Sequence, residues 1–193
     1  SFSHLEHIDR VLGSGRQLLH LINDALEISR YDAGQMKLHL KPINVHELIR
    51  NVYEMLEPLA SQKNLQIVID CNHAPNEVVT DPLRLQQIVT NLVSNAIRYT
   101  LDGKISVKCW TIDRERWAIA VADTGVGIAP EAQQRVFEPY FQAGTIATPN
   151  STGLGLAIVS RLVKLLQGKI ELASEVGVGS TFTVTFPLKV KTK

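Results

Sequence analysis

The stretch from Asp81 to Thr100, DPLRLQQIVTNLVSNAIRYT, constrains this chain more than any other. Leu85, Ile88, Val89, Leu92, Val93, Ala96 and Ile97 recur at steps of three and four, which predicts a helix with one buried stripe. The rest of the chain is expected to be arranged around it. Asn91 and Asn95 stand one turn apart, with Arg98 and Tyr99 just beyond, so two amide oxygens, a cation and a ring reach one neighbourhood. An amide oxygen is a hard ligand for magnesium, a guanidinium suits phosphate and a ring suits a purine. The helix therefore reads as one wall of a nucleotide site.

Elements of both kinds surround that helix. From Phe2 to about Arg30, Leu5, Ile8, Leu12, Leu19, Ile22 and Leu26 trace a seam that Val11, Leu18, Leu21 and Ile28 widen, predicting a helix of a bundle whose apolar face has no partner within this sequence. Asp32-Ala33-Gly34 reads as its stop, and the boundary between two units is placed there, dividing the chain into 1–34 and 35–193. Met36 to Lys41 alternates as a short strand, Val45 to Ser61 has helical spacing, and Leu65 to Cys71 and Val78 to Thr80 are strand-like, with Asp81 able to cap the central helix. Lys104 to Thr111 and Trp117 to Ala122 predict a hairpin, Gly153 to Leu166 a helix, and Lys169 to Ala173 with Thr181 to Phe186 a closing strand pair. No internal repeat appears. The expected class is α/β, a mixed sheet with helices packed on one face, preceded by one long bundle helix.

Composition narrows the partners. A net charge of +1 supplies no field for nucleic acid or anionic membrane, and neither is expected as a partner. No apolar run approaches the ~18 residues of a membrane span, so a soluble, cytoplasmic piece is expected. Cys71 and Cys109 lack metal-ligand spacing and read as buried, reduced thiols.

Two glycine clusters carry further chemistry. Asp123-Thr124-Gly125-Val126-Gly127 follows a strand, where a carboxylate beside a sharply turning backbone could accept a hydrogen bond from an adenine amino group. Thr152-Gly153-Leu154-Gly155-Leu156 opens a helix, where unobstructed amides and the positive helix end favour a triphosphate. No Gly-Lys-Ser/Thr follows at Walker spacing, and Ile158 stands where the dinucleotide fingerprint needs Gly or Ala. Between the clusters, Phe137-Glu138-Pro139-Tyr140-Phe141 reads as a hydrophobic anchor and the polar run from Gln142 to Ser151 as a mobile lid.

In this order the segments resemble the ATP-binding catalytic domain of sensor histidine kinases, the Bergerat fold shared with DNA gyrase and mismatch-repair ATPases. NLVSNAIRYT resembles the N box, DTGVGIAP and STGLGLAIVSRL the two glycine boxes, FEPYF the phenylalanine box and GVGSTFTVTFPL the closing strands, over about Leu38 to Leu188. LLHLINDALEISRYDAGQM is similar to the second helix of the family's dimerisation bundle. The resemblance implies ATP and Mg2+ as ligands, with Asn95 on the metal and Asn91 beside it, acting through water. It implies Asp123 on the adenine amine, Tyr99 stacked on the base and Arg98, where Lys is commoner, facing the phosphates. Gly125, Gly127, Gly153 and Gly155 would shape the pocket with Leu154 and Leu156, and Thr181 would support the adenine end. Asn91 stands where the hydrolytic relatives carry a general-base Glu, and an amide cannot take a proton from water, so transfer to an imidazole is expected rather than hydrolysis.

The family's acceptor setting, His-Glu/Asp-x-x-Thr/Arg-Pro, is absent from this sequence. His46-Glu47 imitates it without the proline, and His4, His7 and His20 lie on the expected second bundle helix, so all four are expected to be structural; His39 and His73 are isolated. The acceptor is expected on a helix preceding this sequence, the full protein is expected to dimerise through its bundle, and a response regulator is the expected partner. The rival readings are a nucleotide-binding interaction module without turnover and a gyrase-like ATPase.

Overall fold

The computed structural model describes residues 2–142 and 152–191. Helix α1 (Phe2–Asp32) ends where Gly34 adopts φ +67° and the Gly34 and Gln35 amides donate to the carbonyls of Tyr31 and Arg30, a left-handed stop of the kind expected. Residues 36–40 correct the strand prediction. Met36, Leu38 and Leu40 do alternate inward against the core, yet no backbone ladder forms, and pairing starts only at β1 (Lys41–Asn44). Alternating burial reports which side faces apolar surface; a strand also needs a neighbouring backbone.

Helix α2 (Val45–Ser61) starts at Asn44, whose side chain accepts from the Glu47 amide. Strands β2 (Gln66–His73) and β3 (Glu77–Thr80) follow, and then the central helix α3 (Pro82–Tyr99). Asp81 caps α3 through Oδ1, which accepts from the amides of Leu83 and Arg84, while its Oδ2 accepts from the His39 amide at 2.8 Å. Strands β4 (Lys104–Thr111) and β5 (Arg116–Asp123), the short helix α4 (Pro130–Gln133), helix α5 (Gly155–Leu165), β6 (Lys169–Glu175) and β7 (Gly179–Pro187) complete the described chain.

The main sheet runs β2-β4-β5-β7-β6, with β2 and β4 parallel and the other pairs antiparallel; β1 and β3 form a separate two-stranded ribbon. Alternate residues of the strands, among them Ile105, Val107, Ile119, Val121, Phe182 and Val184, are buried in one core with the apolar stripes of α2, α3 and α5. Helices therefore cover one face, as expected for this class. The stripe predicted for α3 is buried in full, from Leu85 and Ile88 through Ile97. At the far end of α3, Lys63 Nζ donates to the carbonyls of Ile97 (2.8 Å) and Arg98 (3.0 Å), placing a cation on the negative end of the helix and holding the turn that carries Arg98 and Tyr99.

Helix α1 lies against this domain. Arg161 of α5 reaches Asp32 at 3.1 Å, and Glu27 receives Arg84 and Gln87 of α3. Its seam remains open, with Ile8, Leu12, Leu19, Ile22 and Leu26 all about half exposed. Cys71 and Cys109 are free and buried on neighbouring strands, as expected; the hydrogen bond that the Cys109 thiol donates to Cys71 and burial both push the Cys109 thiol upward, away from a reactive thiolate. His46 Nε2 donates to the Cys71 carbonyl at 3.0 Å, a structural role. The side chains of His4, His7 and His20 lie outside the described residues.

Candidate nucleotide site

The C-terminal half of α3, the loop after β5 and the start of α5 border two adjoining chambers. Asn95, Tyr99, Phe141 and Leu156 line both. One chamber is mainly apolar: Val126, Ile128, Val136 and Phe182 form its walls, and Asp123 and Ser180 are its polar groups from the sheet. The other is polar, with Asn91, Ser94 and Arg98 of α3 facing Thr152, Gly153 and Gly155 at the entrance to α5. A mainly apolar chamber next to a polar one at a helix N-terminus matches the two halves of a nucleotide.

Asp123 ends β5 with its carboxylate turned inward. Its Oδ1 accepts from the amides of Gly125 (2.8 Å) and Ser180 (3.3 Å), while Oδ2 receives no hydrogen bond from any described residue. One oxygen is thus fixed by the backbone, leaving the other able to accept from a ligand. Burial raises the Asp123 carboxyl above the ordinary aspartate value, only partly offset by the Gly125 and Ser180 amides. Protonation removes the acceptor, so adenine-nucleotide affinity is expected to fall on acidification at a pH above the ordinary aspartate range. The group's own contribution to folding has the opposite sense, fullest below its unfolded pKa and lost as pH rises through the folded one. Titrating ATP affinity against pH in the unsubstituted chain and in Asp123→Asn checks this; the variant should lose the acid limb.

The glycines hold the backbone close. A Cβ on Gly125 would stand 2.4 Å from the Tyr99 carbonyl oxygen, which accepts from the Val126 amide, so the loop is pressed against the end of α3. Gly125 shapes the site from behind and does not line it, whereas Gly127 does. The second cluster differs from the sequence reading in two respects. The helix begins at Gly155, because Gly153 takes φ +69° and its carbonyl accepts from the Tyr140 amide at 2.9 Å, tying the aromatic segment to this loop. Leu154 does not reach the cavity: its side chain is fully buried and its amide donates to Thr152 Oγ1. Leu156 and Gly155 do line it.

Thr181 is likewise displaced from its expected place. It lies on β7 between Ser180 and Phe182, and those two, not Thr181, line the apolar chamber. Side chains alternate across a strand, so a slip of one position moves a group to the opposite face. The anchor reading of the aromatic cluster holds for Phe137, edge-on to Phe182 at 6.3 Å, but Phe141 faces both chambers with Arg135 over its ring at 4.3 Å. Sequence reasoning missed Ser180, Phe141 and the apolar walls at Ile128 and Val136. Ile128 could have been found from its place next to the first glycine pair; Val136 and Phe141 come from a loop whose path no periodicity predicts. Of the lid expected over Gln142 to Ser151, residues 143–151 lie outside the described residues, and Gln142 lines both chambers.

An α3 wall, a carboxylate at the end of β5 and a glycine loop opening α5, all on one helix-covered mixed sheet, define a nucleotide-binding α/β sandwich. The chain belongs to the family described as histidine kinase-, DNA gyrase B- and HSP90-like ATPases, whose model matches residues 80–190. Among curated relatives it is 34% identical over 194 residues to the autoinducer 2 sensor kinase/phosphatase LuxQ of Vibrio cholerae, covering 97% of this chain and 23% of LuxQ. The chain thus spans about a quarter of that relative's length. Among solved structures it is similar to full-length ShkA in complex with AMPPNP, at a TM-score of 0.85 and 35% identity, covering 94% of this chain and 38% of ShkA. It shares the fold of the histidine kinase ThkA in complex with the response regulator TrrA, at a TM-score of 0.75 and 24% identity, covering 97% of this chain and 52% of ThkA.

Proposed function

We propose that this chain is the ATP-binding catalytic part of a two-component sensor histidine kinase, residues 35–193, with the second helix of its dimerisation bundle at residues 1–34. The observation that carries the reading is the convergence of Asn95 and Asp123, 28 positions apart on different elements, on one cavity with Tyr99 between them. Adenine would lie in the apolar chamber with its amino group on the free Asp123 oxygen. Tyr99 and Phe141 offer ring faces to it.

The polar chamber suits a metal-bound triphosphate. Asn91 and Asn95 present amide oxygens of the hardness magnesium prefers, Arg98 brings a guanidinium, and the first amides of α5 point where an anion would sit. Bound magnesium would neutralise charge developing on the phosphates. Asn91 lines this chamber, and as an amide it leaves water unactivated. The γ-phosphoryl is then kept for a histidine on the first bundle helix, absent from this sequence. The open seam of α1 supports dimerisation of the full protein through that bundle, and a response regulator, as in the ThkA complex, would take the phosphoryl group onward in the cytoplasm. No described helix is long and apolar enough to cross a membrane.

The test is radiolabelled ATP with this chain and a separately supplied bundle containing an acceptor histidine. Label is expected on the acceptor, with steady-state hydrolysis at background. Rapid hydrolysis without transfer would point to a gyrase-like ATPase, and binding without either to an interaction module.

A further inference from the structure

The polar chamber has one wall that the catalytic domain does not supply. Asp24 of α1, only 7% exposed, lines it together with Asn91, Asn95 and Arg98. It is brought there by the docking of α1, which the contacts of Glu27 with Arg84 and Gln87 and of Asp32 with Arg161 hold in place. Among the described residues that line the chamber, Asp24 is the one acid and Arg98 the one base.

Resting on the nucleotide-site reading above, we propose that Asp24 is a specificity-determining residue that makes the docked form select metal-loaded over metal-free nucleotide. A carboxylate beside a bare triphosphate meets like charge in a partly desolvated chamber. The same carboxylate beside a triphosphate carrying a divalent cation meets a screened anion and a cation whose bound waters it can accept from. Neutral Asn91 and Asn95 favour the metal-loaded form by coordination whether or not α1 is docked, so the part of the discrimination that depends on docking comes from Asp24. Binding linkage is reciprocal: metal-loaded nucleotide favours the docked position of α1, and metal-free nucleotide disfavours it.

The measurement is ATP affinity of the whole chain by calorimetry, in excess magnesium and in excess chelator, for the unsubstituted protein, Asp24→Asn and Arg84→Ala. Loss of the charge is expected to lower the ratio of the two affinities by about tenfold, the scale of one nearby charge pair in a partly shielded site. Arg84→Ala, which releases Glu27, should lower it in the same direction and add little in combination with Asp24→Asn. A purely structural Asp24 would shift both affinities equally, and an unchanged ratio in Asp24→Asn overturns the proposal. A ratio unmoved by Arg84→Ala overturns the part given to docking. If the unsubstituted chain binds ATP in neither condition, the nucleotide-site reading itself falls; if it binds and only the ratio ignores Asp24, this inference alone falls.

Discussion

Gly127→Val is expected to abolish detectable ATP binding and to lower folding stability by about 3 kcal/mol, from left-handed strain in a β-branched residue plus a backbone collision. Gly127 has φ +70°, and a Cβ there would stand 2.0 Å from the Glu175 carbonyl oxygen and 2.6 Å from its carbon. Neither atom can turn away, because both belong to the end of β6. The loop would have to lift, carrying Val126 and Ile128 off the wall of the apolar chamber. Gly177→Ala is the internal control. Its φ of +79° is similar, but nothing stands within 4 Å of its Cβ position, so only the conformational penalty of about 1 kcal/mol should appear, with binding intact. Urea denaturation and ATP calorimetry on both variants check the contrast; equal losses would show that strain, not the collision, governs the loop.

Asp123→Asn is expected to weaken ATP binding by roughly 2–3 kcal/mol, about 30- to 150-fold, while leaving the unliganded fold as stable as before or more so. The amides of Gly125 and Ser180 both point at Oδ1, so an asparagine must put its carbonyl there. Its NH2 then occupies the cavity-facing position and meets the adenine amine donor to donor. Removing a charge that burial disfavours works the other way on folding, since the carboxyl is raised by desolvation. Loss of binding without loss of stability separates a ligand contact from a packing role, and calorimetry paired with thermal melts reads both. Asn95→Ala should also weaken binding, by ~1–3 kcal/mol, but only while magnesium is present, the outcome required if its amide serves the metal and not the base. Loss of binding in chelator would move Asn95 to another role.

Much of this site was legible in the sequence because it lies within single elements. Asn91, Asn95, Arg98 and Tyr99 share a helix whose period places them, and Asp123 is tied to its glycines by adjacency. The misplacements share one cause, which is that phase and pairing depend on neighbours. Met36 to Leu40 alternates like a strand, but no backbone lies alongside it to accept a ladder. Thr181 and Ser180 are equally suitable hydroxyls, and only the pairing of β7 with β5, which sets Ser180 opposite Asp123, decides which faces the ligand. Leu154 sits among glycines that line the site, yet the turn at Gly153 sends its side chain into the core.

By itself the sequence determined the four longer helices, most strands and the chemistry each element could offer, since short-range periodicity and local sterics set those. Only the tertiary structure decided which oxygen of Asp123 is left open, that Ser180 and Phe141 join the walls, and that Asp24 of a different helix lines the polar chamber. Those are consequences of packing between segments far apart in the chain, where the burial of apolar faces chooses the partners and the polar groups follow.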